Sequence, residues 1–401
     1  MKKATNTMHD PIYFKEQFLI DPEITFLNFG SFGACPKSVF ADYQQWQLLL
    51  EREPVQFIAF DGADRVRNSL AALAAFIDCD PMDLVYVPNP TYAINIVAEN
   101  LQLNPGDEVL STDLEYGAMD RTWDYYCNRA GARYVRQNIA LPIESKEHFL
   151  ESFWKGCTEK TRVVFISHIT SATALKLPVV EICKEARRRG LITIVDGAHV
   201  PAHAPLSIRD MDPDFYTGAC HKWMMAPKGC SFLFAKKAFQ SSLDPIVISW
   251  GYKSDNPSGS LFFDHHQFNG TRDFSAYLTV PAAIKFMDEH KWWDVSDGCS
   301  QMVRQYATRF CELMGSEALA PLNDDFSGQM FSIPIRSSNP AGLQKRLFDH
   351  HRIEIPVTRQ GNRVFVRYSI QAFNGSDDLD VLFKALQMEL SDGAFIEPFN
   401  K

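Results

Sequence analysis

From Asp61 to Ala235, short apolar runs alternate with stretches whose apolar residues recur at helical spacing. Leu84-Val85-Tyr86-Val87, Glu108-Val109-Leu110, Val163-Val164-Phe165-Ile166-Ser167 and Leu191-Ile192-Thr193-Ile194-Val195 read as buried strands. Between them, Asp61 is expected to cap a helix carrying Val66, Leu70, Leu73, Ala74 and Ile77. A helix with Ile94, Val97 and Leu101 follows the turn Pro88-Asn89-Pro90, and another opens at Pro178 and closes at Gly190. Continuous apolar strands between amphipathic helices predict an α/β fold with a mostly parallel sheet covered on both faces. Ligands in such sheets bind beyond the carboxyl ends of the strands. That places attention on Asn89-Pro90-Thr91, Ser167-His168, Asp196-Gly197-Ala198-His199 and the segment from Tyr216 to Lys222.

After Phe274 the rhythm changes to α+β. Helices are expected near 276–289 and 296–314, strands near 329–335, 353–357 and 364–368, and a last helix over 377–390. A chain of 401 residues with 46% hydrophobic side chains is not disordered, and it has room for a buried cofactor. Its 40 basic and 49 acidic side chains disfavour nucleic acid or an anionic membrane as partner. Arg187-Arg188-Arg189 is explained by a helix C-terminus. No segment reaches the roughly 18 apolar residues of a membrane span. The basic start Met1-Lys2-Lys3 runs into polar residues rather than a secretory core, so a cytoplasmic protein is expected. Nine scattered cysteines without a Cys-x-x-Cys pair read as thiols in a reducing compartment, with no metal site expected.

Chemistry concentrates in Ile194-Val195-Asp196-Gly197-Ala198-His199, then Gly218-Ala219-Cys220-His221-Lys222-Trp223 and Ala226-Pro227-Lys228-Gly229. A carboxylate ends a strand, and a lysine follows in a loop of small residues. On spacing alone the two could simply form a salt bridge. Small neighbours, however, suit close approach by a bulky ligand, and a partly desolvated lysine is a good nucleophile for a Schiff base.

The order Asn89-Pro90-Thr91-Tyr92-Ala93-Ile94-Asn95, Tyr116-Gly117-Ala118, Ser167-His168, Asp196-Gly197-Ala198-His199, Cys220-His221-Lys222-Trp223, Gly270-Thr271-Arg272-Asp273 and Arg367-Tyr368-Ser369 resembles the class V aminotransferases. These are fold-type I enzymes using pyridoxal 5′-phosphate, and the isopenicillin N epimerase-like branch is the most similar. The resemblance runs from about Leu27 to Asn374. It implies an N-terminal arm over 1–30, a large cofactor-binding domain with a seven-stranded-type sheet over 31–274, and a small α+β domain over 275–401.

Carried over, the resemblance makes Lys222 the Schiff-base lysine and proton carrier, and sets Asp196 against the pyridine nitrogen. It brings His199 to the ring's phenolic oxygen, with a strand-end packing histidine as the alternative. Thr91, with Pro90 and Tyr92, opens a helix after a strand and would hold phosphate rather than merely cap the helix. His221 would join it. Gly270 and Thr271 would reach the phosphate of a neighbouring subunit, implying a homodimer with shared sites. Tyr116 would stack on the ring or be one of the structural tyrosines. Ser171 stands where relatives have Asn, and Ala174 where Gly is common. Arg367 would grip a substrate carboxylate, since a planar fork suits that task; without the family it reads as a surface ion pair. Asn28 would contact substrate, or its neighbouring glycines simply mark a turn.

The function expected is Cα chemistry on an amino acid or amino-acid-containing substrate: Schiff base, Cα deprotonation, then a quinonoid. Epimerisation, transamination and β-elimination from a cysteine conjugate or sulfoxide remain open. A cysteine desulfurase is disfavoured, because no Cys lies between Asn323 and Arg367. A non-catalytic protein of the same fold is disfavoured by Lys222, Asp196 and Arg367 standing together. Arg272, Arg359 and His168 could receive a polar substrate group, and the sequence does not place them.

Overall fold

A computed structural model describes residues 10–397 and 399. The basic start and the first nine residues of the expected arm lie outside the described residues. The strands are β1 (Thr25–Phe26), β2 (Leu84–Val87), β3 (Glu108–Thr112), β4 (Arg133–Gln137), β5 (Thr161–Ser167), β6 (Ile192–Asp196), β7 (Phe215–Ala219), β8 (Ser231–Ala235), β9 (Met330–Ile335), β10 (Ile353–Glu354), β11 (Val357–Gln360) and β12 (Arg363–Ser369).

Seven strands form one sheet in the order β2-β8-β7-β6-β5-β3-β4. Only β8 runs against the others, pairing antiparallel with β2 and β7. β2, β3, β7 and β8 are buried at every position, and β5 and β6 almost so. Helices cover both faces, as the continuous apolar runs require. β4 is the exception: an edge strand with two exposed arginines, it lacks an apolar run and is not legible in sequence. Because β8 turns back directly after β7, the loop 220–230 carrying Lys222 lies at the carboxyl end of β7. The carboxyl ends of β2, β3, β5 and β6 share that edge, so the motifs converge there.

A second sheet, β11-β12-β9, is antiparallel with β12 in the middle, and Arg367 stands opposite Ser332. The start of the chain is tied to this half. β1 pairs with β10, the Leu27 carbonyl accepts from the Ser369 N–H, and the Asn374 amide donates to the Phe26 carbonyl. The next residues then pass over the lysine loop. Gly33 has φ +65°, and a side chain there would come within 2.2 Å of the His221 carbonyl oxygen. Only glycine allows that approach.

Several local expectations need correction. Asp61 does not cap its helix (Gly62–Ile77): its backbone is already helical, continuing from a π-turn at Gln56–Phe60, and its carboxylate pairs with Arg65 and Gln56. The helix expected at 276–289 is two, Ser275–Leu278 and Val280–Glu289, with a proline at the start of the second. The next helix begins at Trp292, after Lys291 in a left-handed conformation. The strand expected at 353–357 breaks at Pro356, which has no N–H to donate, into β10 and β11.

Candidate active site

A cavity of about 260 Å³ opens at the carboxyl edge of the large sheet, between that edge and the second sheet. Pro90, Thr91, Tyr116, Ser171, Asp196, His199, His221, Lys222 and Arg367 all line it. These residues come from six separate segments of the chain.

At one end, Asn89 caps the helix Pro90–Asn100 by accepting the Tyr92 N–H at 2.8 Å, and Pro90 sits in the first turn. This leaves Thr91 and the positive end of the helix on the cavity wall, an arrangement suited to an anion. Tyr92 is not among the lining residues and packs against the core beside the helix. His221 donates Nδ1–H to the Cys230 carbonyl at 2.9 Å, and burial brings its pKa down to about 4. Its free ring nitrogen is therefore an acceptor until a phosphate draws a proton onto it.

At the other end, the Asp196 carboxyl accepts the Ala198 N–H at 2.9 Å. Burial pushes its pKa up, opposed by that hydrogen bond and by the Lys222 charge. Lys222 Nζ lies 3.3 Å from His199 Nε2. Burial first, and then the Arg367 guanidinium, lower the Lys222 pKa to about 8. His199 is held neutral by burial and by both cations. Trp223 donates its indole N–H to His199 Nδ1 at 3.5 Å, which leaves the imidazole proton on Nε2, facing the site. Behind it, His203 donates to the His199 carbonyl at 2.9 Å and accepts the Gln329 N–H at 2.6 Å, linking the lysine side of the cavity to β9.

Arg367 is 3% exposed. Its Nη1 donates to the Ser171 carbonyl at 2.5 Å and to Ser171 Oγ at 3.2 Å, and its Nη2 donates to Ser31 Oγ at 3.0 Å. Nε has no partner. Ser31 in turn donates to Asn28 Oδ1 at 2.5 Å, so Asn28 reaches the site through Ser31 and does not line the cavity. Ser171 thus serves the arginine. Ala174, in the same turn, has φ +57°, the conformation a glycine adopts without strain.

Gly270 and Thr271 lie apart, in a second cavity of about 400 Å³ with Trp250, Phe274 and Tyr277. Arg272 sits over the Tyr277 ring there, 5.2 Å from its centre. Nor do the other candidate polar contacts join the site. His168 is buried against the Tyr216 hydroxyl at 3.2 Å. Arg359 is exposed on β11, one residue from the Thr358–Phe365 pair that shares the face of Arg367, and so on the opposite face. Ser31, Phe32 and Ile169 line the cavity without any sequence signal that marked them. No cysteine is among the described residues that line it.

These residues fit pyridoxal 5′-phosphate: an anion site at a helix start, a carboxylate opposite it, a partly neutral lysine between, and a buried guanidinium with an unmet donor. The Aminotransferase class-V profile matches residues 43–382. The chain is 32% identical to an isopenicillin N epimerase of Amycolatopsis lactamdurans over 393 residues, 94% of this chain and 98% of that protein. It is 26% identical to a probable chloroplastic L-cysteine desulfhydrase of Arabidopsis thaliana, covering 93% and 84% of the two chains. Its fold is that of a cysteine desulfurase from Thermococcus onnurineus, with a TM-score of 0.82 at 17% identity over 95% of this chain and 98% of that one. The chain belongs to the class V aminotransferase family, enzymes of fold type I that work with pyridoxal 5′-phosphate.

Proposed function

We propose that this enzyme removes the Cα proton of an amino acid or amino-acid-containing substrate and returns it to either face, as an epimerase. The observation that carries the reading is the shared cavity of Lys222 and Arg367, with the Arg367 Nε–H buried and unpartnered among the described residues. A buried donor without an acceptor is costly, and a substrate carboxylate would supply one. Bound pyridoxal 5′-phosphate supplies the electron sink for the pair left on Cα. Asp196 would hold the ring-nitrogen end cationic, His199 would offer its Nε2–H to the phenolic oxygen, and Thr91 with His221 would take the phosphate. Lys222 Nζ, with a pKa near 8, can both take and return a proton near neutral pH. Tyr116, at the start of the helix Gly117–Ala130, lines the cavity and is the group we assign to the face opposite Lys222.

Similarity to the isopenicillin N epimerase over nearly the whole chain supports this reading. Similarity to L-cysteine desulfhydrases supports a second, β-elimination of a sulfur leaving group. With no cysteine among the described residues of the cavity wall, the broken Cβ–S bond would release sulfur as a free thiol or sulfide rather than pass it to the protein. Incubating the loaded enzyme with amino acids in deuterated water separates the outcomes. Cα deuteration with inversion supports epimerisation, a 2-oxo acid plus ammonia supports elimination, and conversion of the cofactor to its amine form supports transamination.

The proposal includes a homodimer in the cytoplasm, with the arm, large domain and small domain divided near residues 30 and 274. Among the described residues, no helix is long and apolar enough to cross a membrane. Trp250 is 83% exposed at the rim of the cavity holding Gly270 and Thr271, and Val55, Phe60 and Ile248 are also bare. A second copy covering this apolar surface would bring Thr271 toward its neighbour's phosphate. Trp250→Glu should then give a monomer by light scattering.

A further inference from the structure

Glu115 belongs to none of the roles assigned so far. Its side chain is 1% exposed. Oε2 accepts both the Ser167 N–H at 2.9 Å and the Ser167 hydroxyl at 2.5 Å, while Oε1 accepts the Thr112 hydroxyl at 2.6 Å. Among the described residues no basic side chain pairs with it. Ser167 stands opposite Asp196 in the β5–β6 register, so the two side chains share one face at the carboxyl ends of the strands. Both line the cavity.

This arrangement gives that end of the cavity a definite polarity. The Ser167 proton is committed to Glu115, so Ser167 Oγ offers only lone pairs to a ligand. The Asp196 carboxylate is an acceptor as well. One wall is therefore acceptor-only, with a second carboxyl group behind it, and the opposite end is the helix start at Thr91. Anchoring the chain does not explain the carboxylate. The Gln360 amide already holds the carbonyls of Asp113 and Glu115, at 2.7 and 3.3 Å, and a neutral side chain could fill the same space. Burial and the Asp196 charge bring the Glu115 pKa up to about 7, so a cationic ligand arriving nearby would ionise it.

We infer that Glu115 is a positioning residue for the ring-nitrogen end of the cofactor: through Ser167 it sets a second negative charge behind Asp196 and favours the protonated heterocycle. The inference rests on the cofactor assignment above. Its test is a titration of the cofactor-free protein, by tryptophan fluorescence, with pyridoxal 5′-phosphate and with the analogue whose ring nitrogen is replaced by carbon. Glu115→Gln keeps the size and one acceptor oxygen while removing the charge. We expect it to weaken binding of the natural cofactor by about tenfold and leave the analogue unchanged, so that discrimination between them falls. Equal weakening of both ligands, or unchanged discrimination, would overturn the inference. Should Glu115→Gln fail to fold, Ser167→Ala cuts the same link while leaving the carboxylate in place. Reduced discrimination there supports the inference, and discrimination equal to wild type overturns it. If the wild-type protein binds neither ligand, the cofactor reading itself falls, a distinguishable result.

Discussion

Replacing Glu115 with Gln makes a sharp prediction about stability as a function of pH. The carboxyl is buried with three donors and, among the described residues, no cation, and its pKa rises from an ordinary 4.5 to about 7. The difference, 7 − 4.5, is 2.5 pH units, and each unit corresponds to about 1.4 kcal/mol, giving about 3 kcal/mol. Within that window the folded protein keeps a proton that the unfolded chain has released, so folding loses stability as pH rises. The stability is fully present below pH 4.5 and lost once the pH passes about 7. Glutamine does not titrate, and its amide can face Thr112, whose hydroxyl turns to accept it. In urea unfolding of the cofactor-free protein, the variant should therefore gain about 3 kcal/mol on the wild type between about pH 4 and about pH 8. Titrations of other groups largely cancel in that difference, apart from Asp196, whose own burial is eased when the neighbouring charge goes. A pH-independent difference would refute the reasoning. So would a variant that gains on the wild type as pH falls, since that would mean the carboxyl is ionised and stabilised throughout.

Other consequences are independent of Glu115. Gly33→Ala drives a methyl group against the His221 carbonyl in a left-handed backbone. It should cost about 2 kcal/mol or more in thermal or urea melts and lower cofactor occupancy; a wild-type melt would show that the arm does not pack as described. Arg367→Lys keeps the charge but loses the fork, and should raise KM for an amino acid substrate about thirty-fold, about 2 kcal/mol, with cofactor affinity unchanged. Because Lys222 has a pKa of about 8 and reacts as the free amine, the rate at which the cofactor-free protein develops its visible band should climb with pH and level off above that value. A rate that is flat across neutral and mildly alkaline pH contradicts this.

The convergence of motifs was legible in sequence because a parallel sheet buried on both faces writes its strands as unbroken apolar runs. Where runs of this kind end, as at Ser167 and Asp196, the chain must be at the ligand-binding edge. β4 is not legible because its arginines point to water at the sheet's edge and leave it no apolar run. The site was legible only in part. Lys222 and Asp196 carry local signals, but Arg367 on a strand looks like any surface arginine until β12 is seen in the middle of its sheet, over Ser171 and Ser31. Asn28 meets Ser31, which stands between it and the arginine, and nothing local in the sequence shows that link. Glu115 gave no signal at all. Its partner Ser167 is 52 residues away, and only the β3–β5 pairing brings them together.

The central claim is that Lys222 is the amine that holds pyridoxal 5′-phosphate. Borohydride reduction of the loaded protein, followed by proteolysis and mass spectrometry, tests it directly. The account predicts a phosphopyridoxyl group on Lys222 alone, absent in Lys222→Ala. Lys228 is the natural competitor in the same loop; burial lowers its pKa too, but its amine is spent on the Gly33 carbonyl at 2.9 Å. Label on Lys228, or no label on any lysine, would contradict the account.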